Sequence, residues 1–300
     1  MSNAAFGNGF TKEITMTKLR VVEPRLKLEG IIGALFDGEL LVFENLESVE
    51  ILVHHIRALV EDALGTMEPL LAEQYCEAGD FRRQCVALRK QLESDQLTQS
   101  LWHDVLREIG FDPKELFHDR LRLRIVPSKL VPEGRIIRPL PLHRDTWGSG
   151  IMAQVNWWLP VYPVSKSRTV TVWPEAFATP VENTSGEWDF SELISSKTNN
   201  YPLMPTTMDA VGEPLPIVIE PGAVLAFAAA HLHAGTNDTS GLSRITVDTR
   251  TVWQEDLIAE RAAPNVDGGG TDSHWAWFTP PANFEHKKQA EQGQKTGVAS

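Results

Sequence analysis

Three short stretches carry the side chains of this chain that could act together on a ligand: "PLHRDTWGSG" at 141–150, "FAAAHLHAGTN" at 227–237 and "SRITVDTR" at 243–250. Residues two apart on an extended strand point the same way. His143 and Asp145 therefore share a face, with Arg144 turned from it. A neutral imidazole beside a carboxylate can hold one divalent metal, and a histidine from a distant strand would complete two histidines and one carboxylate, the set associated with non-haem Fe(II) that leaves positions open for substrates. On its own, His-x-Asp is common and usually marks a surface ion pair or a capped turn. His231 and His233 share a face by the same parity, and either can supply the second imidazole. Arg244 comes 11 residues after His233, across the turn "NDTSGLS". A hairpin would return it to the same place with Thr246 beside it. A planar, permanently charged guanidinium suits a carboxylate held by two hydrogen bonds, and a nearby hydroxyl can donate to the same group. The competing reading of Arg244 is a structural ion pair with Asp248 or with an acid of the 174–214 insertion.

These residues need rigid elements. From Asn45, read as an N-cap, "LESVEILVHHIRALVEDALG" places Val49, Leu52, Val53, Ile56, Leu59 and Val60 on one helical stripe that Gly65 ends. A second helical pattern runs from about 80 to 109, broken once and closed by Gly110. Beyond it the period changes to β-rich runs separated by Gly and Pro: "RLRLRIVPS", "IMAQVNWWLPVYPV", "RTVTVW", "LPIVIEPGAVLAFAAAHLHAG" and "SRITVDTRTVW". Their alternation sets Arg244, Thr246, Asp248 and Arg250 against Ile245 and Val247, and Gln154, Asn156 and Trp158 against Val155 and Trp157. Several polar faces that include paired histidines and large aromatics predict a barrel or jelly roll with a polar interior. The expected fold is an all-β core with an α-helical N-terminal part, a double-stranded β-helix of the cupin-like kind. The chain is read as one domain: 1–118 mainly helical support, 119–256 the jelly-roll core with a lid insertion at 174–214, and 257–300 an extension whose tail from about 283 is expected to be disordered.

Composition narrows the function classes. In 300 residues, 28 Lys and Arg stand against 40 Asp and Glu, a formal charge of −12 with no long basic block, so nucleic acid and anionic membrane are poor partners. The N-terminal residues lack the pattern of a secretory signal, no segment is apolar enough to span a membrane, and a cytoplasmic setting is expected. Cys76 and Cys85 do not form a metal or redox motif.

The segments "HRD", "PGAVLAFAAAHLHAGTN" and "SRITVDTR" resemble the Fe(II)- and 2-oxoglutarate-dependent oxygenases, within them the phytanoyl-CoA dioxygenase-like branch, over roughly residues 120–255. The resemblance implies His143, Asp145 and His233 as iron ligands, because the late motif places Asn four residues beyond the ligand, as Asn237 follows His233. It further implies Arg244 on the distal carboxylate of 2-oxoglutarate, with Thr246 assisting. Asn156 and Thr169 are expected on the co-substrate side. Trp147, Gln154, Trp158, Arg250 and Arg124 are expected around the substrate, with Arg122 a further candidate. The implied cofactors are Fe(II), 2-oxoglutarate and O2, and the implied reaction is hydroxylation of an unactivated C–H in a small metabolite, natural product or sugar-acid lipid, releasing succinate and CO2. The intact carboxylate ligand favours hydroxylation over halogenation. Where the branch frequently has "PGSH" this chain has "WPEAF" at 173–177. The alternative from a different class is a cupin-like metal-dependent isomerase or a ligand-binding module without oxidative turnover, neither of which needs a second anchor such as Arg244.

Overall fold

The computed structural model describes residues 19–22, 27–128, 139–187, 205, 211–236, 238–270, 272–282 and 284. The tail beyond 284, most of the insertion between 188 and 210, and Asn237 lie outside the described residues.

The N-terminal helices are α1 (Leu28–Phe36), α2 (Glu47–Leu64), α3 (Ala72–Tyr75), α4 (Ala78–Ser94) and α5 (Gln96–Ile109). The apolar stripe of α2 is buried at Val49, Leu52, Val53, Ile56, Val60 and Leu64, and Gly65, at φ 63°, ends it in the left-handed conformation that costs glycine least. Asn45 is not its cap. The backbone N–H groups of Glu47 and Ser48 donate instead to the Glu108 carboxylate of α5, at 3.2 and 2.9 Å, an acid placed where the helix dipole favours negative charge. The expected single break between α4 and α5 falls at Asp95, whose carboxylate accepts from the Thr98 N–H at 2.9 Å, and Gly110 closes α5.

Among the described residues, the β-rich runs and their neighbours form the strands β1 (Arg20–Val21), β2 (Leu41–Phe43), β3 (Leu116–His118), β4 (Arg122–Val126), β5 (Gln154–Pro160), β6 (Val170–Trp173), β7 (Leu215–Pro216), β8 (Val224–Ala228), β9 (Leu232–Gly235) and β10 (Arg244–Trp253). One sheet has the order β1-β2-β8-β5-β10-β3, with β4 also on β10, and the other has the order β7-β6-β9. After β5 the chain passes to the small sheet for β6 and β7, back for β8, across for β9 and back for β10, the alternation of a double-stranded β-helix. The N-terminal part is more than helical support, since Leu41–Phe43 pairs with β8 and extends the large sheet.

Alternation along the large sheet divides two environments. Leu123, Ile125, Val155, Trp157, Leu159, Ile245 and Val247 are buried in one core with the stripes of α2, α4 and α5. The opposite face looks toward the small sheet. There Leu40, Val42, Trp158, Val170, Val172, Ile217, Leu225 and Phe227 form a second apolar cluster at one end, and a cavity of about 350 Å³ occupies the rest. Among the described residues, no helix is long and apolar enough to cross a membrane.

Two segments expected as continuous strands are broken. "FAAAHLHAG" is interrupted where the chain changes sheets: β8 stops at Ala228, the His231 N–H closes a turn onto the Ala228 carbonyl at 3.0 Å, and β9 starts at Leu232. The fully enclosed Ala229 and Ala230 fit this corner because a larger side chain would have no room. "HRD" makes a single bridge, His143 with His233, and Asp145 at φ −66°, ψ −29° then enters the helical turn α6 (Thr146–Ser149).

Candidate functional site

His143 and His233 exchange both backbone hydrogen bonds, 3.0 and 2.9 Å, which sets their rings side by side with centroids 4.4 Å apart. Asp145 is brought to them by the corner between β8 and β9, because its N–H donates to the Ala229 carbonyl at 3.1 Å. The Asp145 carboxylate lies 3.3 Å from His143 Nε2 and 4.0 Å from His233 Nε2, and ligand atoms of all three residues fall within 4.8 Å of one another.

The protons in this cluster are placed by carbonyls. His143 Nδ1 is 2.7 Å from the Pro141 carbonyl and His233 Nδ1 is 3.0 Å from the His231 carbonyl. A carbonyl only accepts, so each Nδ1 carries the hydrogen and each ring turns its Nε2 toward Asp145, the nitrogen that offers a lone pair when the ring is neutral. Burial, reinforced by the neighbouring His143, pulls the His233 pKa down to about 4 and keeps it neutral, with Asp145 opposing only in part. Burial alone would raise the Asp145 pKa. A proton on either imidazole, together with the Arg250 charge, outweighs it and holds the carboxyl well below the usual range. Two lone pairs and an anion converging in a buried space form a deprotonated ligand set that one divalent cation satisfies, since bonds of roughly 2 Å reach across such gaps.

The carboxylate is held by a buried chain of amides: Asn156 Nδ2 donates to Asp145 Oδ2 at 2.5 Å, and Gln154 Nε2 donates to Asn156 Oδ1 at 2.8 Å. Arg144 points away, as its parity predicts. It ion-pairs with Asp267 at 2.9 Å and donates to the carbonyls of Ala230, Ala176 and Thr179, tying the β8–β9 corner to the start of the insertion. Such a network fixes the loop on both sides of Arg144, and with it both proposed ligands.

Along β9, Gly235 lies two residues past His233, roughly 7 Å at strand rise. A Cβ there would be 3.0 Å from Arg244 Nη2, so glycine leaves the guanidinium its place. Arg244 is buried and donates to the Thr169 and Thr236 carbonyls, but its Nε, like Thr246 Oγ1, has no hydrogen-bond partner among the described residues. The competing ion pair with Asp248 is absent, because Arg124 takes that carboxylate with two bonds of 2.7 and 2.9 Å. Burial, with Arg124 and Arg168 adding positive charge against Asp248, pulls the Arg244 pKa down to about 10. A buried guanidinium and hydroxyl with open donors fit an anionic ligand.

The remaining expected residues divide. Asn156, Trp158, Arg124 and Arg250 line the cavity, as does Arg122. Thr169, Gln154 and Trp147 do not line it. The Thr169 hydroxyl donates to the Ile217 carbonyl, and only its own carbonyl reaches Arg244. Gln154 is spent on Asn156. Trp147 Nε1 donates to Asp267 at 2.7 Å, and the ring packs on Ala176, Val181 and Leu232. Strand parity fails for Trp147 because α6 is helical. Sequence reasoning missed Asp119, the buried acid shared by Arg122 and Arg250, and Trp277, whose ring lies 4.8 Å over the Arg250 guanidinium. An acid next to an arginine-rich strand, in "HDRLRLR", was the available signal for the first. Trp275 packs on Phe117, and Phe278 is buried.

No family model matches the sequence, and no curated protein matches it. Among solved structures, the chain is similar to AviO1 from Streptomyces viridochromogenes Tue57, at 15% identity over 54% of this chain and 64% of that one, TM-score 0.35. It is also similar to EctD from S. alaskensis in its apoform, at 15% identity over 86% and 85%, TM-score 0.44. A third is EvdO2 from Micromonospora carbonacea var. aurantiaca complexed with 2-oxoglutarate, at 14% over 65% and 71%, TM-score 0.37. The chain thus spans less than two thirds of AviO1. At such identities and TM-scores these likenesses assign neither activity nor ligand.

Proposed function

We propose that this chain is an Fe(II)- and 2-oxoglutarate-dependent dioxygenase of the phytanoyl-CoA dioxygenase-like kind that hydroxylates a C–H of a small molecule, releasing succinate and CO2. The observation that carries the reading is one cavity holding both the His143–Asp145–His233 set and, against Gly235 two residues along β9, the buried Arg244 of β10, which forms no ion pair with a carboxylate of the described residues. In this reading the three side chains hold the iron on one face, and Arg244 with Thr246 holds the far carboxylate of 2-oxoglutarate. The bound iron and co-substrate supply the oxidising chemistry, and the protein supplies placement. Asn156 and Gln154 keep the Asp145 carboxylate turned toward the two imidazoles. The carbonyls of Pro141 and His231 keep both rings in the tautomer that binds metal. Trp158, Phe227 and Val170 give the cavity an apolar wall, which limits water beside the reacting centre.

A metal-dependent isomerase or a ligand-binding module would use the same three metal residues without the arginine. The test is succinate release in air from protein loaded with Fe(II) and 2-oxoglutarate and given no further substrate. Slow release in the native protein, absent without iron and strongly reduced in Arg244→Leu, is expected. Metal uptake with no succinate at any 2-oxoglutarate concentration would favour the other class.

A further inference from the structure

Charge in the cavity does not close on itself. If the reading above holds, a divalent metal, Asp145, dianionic 2-oxoglutarate and Arg244 sum to zero. Of the other charged residues lining the cavity, Arg124 is matched by Asp248, Arg144 by Asp267 and Arg89 by Glu93. Arg122 and Arg250 have only Asp119 between them. Arg122 grips it with bonds of 2.8 and 2.9 Å, and Arg250 places Nε at 2.6 Å and Nη2 on the same Oδ2 oxygen. Asp119 also accepts the Arg120 N–H at 2.7 Å, so its oxygens are saturated while its single charge faces two. Arg250 Nη1 makes no hydrogen bond among the described residues.

The position of this surplus charge gives it a use. Arg250 is the register partner of Asn156, the residue that holds Asp145, so it stands one strand from the proposed metal ligand. Trp277 covers one side of the guanidinium and leaves its edge to the cavity, where Trp158 and Phe227 supply apolar surface. Aromatic stacking and the Asp119 fork pin the plane of Arg250 while leaving a donor open, the state suited to receiving a planar anion.

We propose that the substrate is a small organic anion whose carboxylate docks on Arg250, with Arg122 supplying the uncompensated charge and Trp277 the roof. This rests on the dioxygenase reading for the chemistry performed, and it adds the class of molecule and the residues that select it. The apolar body lies along Trp158 and Phe227, and the carboxylate sits near the metal, which places the oxidised carbon within a few bonds of it.

The test uses anaerobic protein loaded with Fe(II) and 2-oxoglutarate, so that Arg244 is already occupied, titrated calorimetrically with phenylacetate and cyclohexylacetate and with the neutral amide of each. At least one acid should bind about ten-fold or more tightly than its amide. The preference should vanish in Arg250→Gln and survive in part in Arg250→Lys, with 2-oxoglutarate uptake unchanged in both. If Arg250→Gln does not fold, Arg122→Gln serves, because it removes the surplus charge and should abolish the same preference with Arg250 and Asp119 left in place. Acids and amides binding alike in the native protein, or a preference that persists in these variants, would overturn the proposal. Failure of the dioxygenase reading registers separately, as native protein that takes up no 2-oxoglutarate. The acid–amide difference then remains readable, and Arg244→Leu reports whether the acid had gone to Arg244 instead.

Discussion

The two faces of β10 look into opposite environments. Ile245 and Val247 point into the helical layer, among side chains that only pack, whereas Arg244, Thr246, Asp248 and Arg250, interleaved with them, face a cavity that holds the proposed metal residues. The first face holds the sheet to the helices. The second keeps Arg244 and Thr246 buried and Asp248 and Arg250 partly buried, which costs stability unless each is paired or waits for a ligand. Substitutions on the two sides should therefore fail in opposite ways, one losing the fold and the other losing ligands from a fold that persists.

The largest effect belongs to the packing side. Trp157 is fully enclosed, with ring centroids 6.0 Å from Phe43, 5.8 Å from Trp102 and 5.8 Å from Phe111, so Trp157→Ala opens a cavity and should cost about 3–5 kcal/mol. Denaturant melts would read it, and a loss under about 1 kcal/mol would mean that this face is not what secures the sheet. His233→Ala is the counterpart on the other side. Stoichiometric Fe(II) binding should disappear while thermal unfolding shifts by no more than a few degrees, since a residue held for a ligand contributes little to the folded state alone. Arg244→Leu removes a charge-assisted pair worth on the order of 1.5–3 kcal/mol, so 2-oxoglutarate affinity should fall about ten-fold or more with iron binding retained. Equal affinity in that variant would hand the anchor to Arg250.

The smallest effect sharpens the contrast between the two histidines. His231 is fully enclosed, with its nitrogens 3.1 Å from the carbonyls of Ala228 and Gly38 and its ring 4.5 Å from Phe177. Burial outweighs both carbonyls and, with the Arg144 charge adding to it, lowers its pKa from 6.5 to about 4. Between those values the unfolded chain takes up a proton that the native protein refuses. Stability should therefore fall as pH drops through that window and be flat above it. His231→Gln should cost roughly 1–3 kcal/mol at neutral pH, flatten the acid limb and keep iron-dependent turnover. An acid limb identical to that of the native protein would show that His231 does not titrate there.

Much of this arrangement was legible in the sequence because β-structure has period two. The parity of "RITVDTR" and "AQVNWW" gave the correct faces for Arg244 to Arg250 and for Asn156 and Trp158. Parity misled where the chain is not extended: His231 sits in a turn rather than on the strand of His233, and Trp147 sits in a helical turn. Thr169 illustrates a different limit, since a threonine beside a cavity can spend its hydroxyl on a carbonyl of its own sheet. Pairing across long sequence separations carried no sequence signal. The arginines beside Asp119 hint at Arg122 but not at Arg250, 131 residues on, and nothing in Asn45 reveals that Glu108 caps α2.

The central claim, that one cavity of this fold holds iron and 2-oxoglutarate together, is tested most directly by the visible spectrum of the anaerobic protein. Saturating Fe(II) and 2-oxoglutarate should give the weak absorption of an iron keto-acid chelate in the native protein and none in His233→Ala, and Arg244→Leu should need about ten-fold or more 2-oxoglutarate to reach it. Native protein that binds Fe(II) but shows no such band at saturating 2-oxoglutarate would contradict the account.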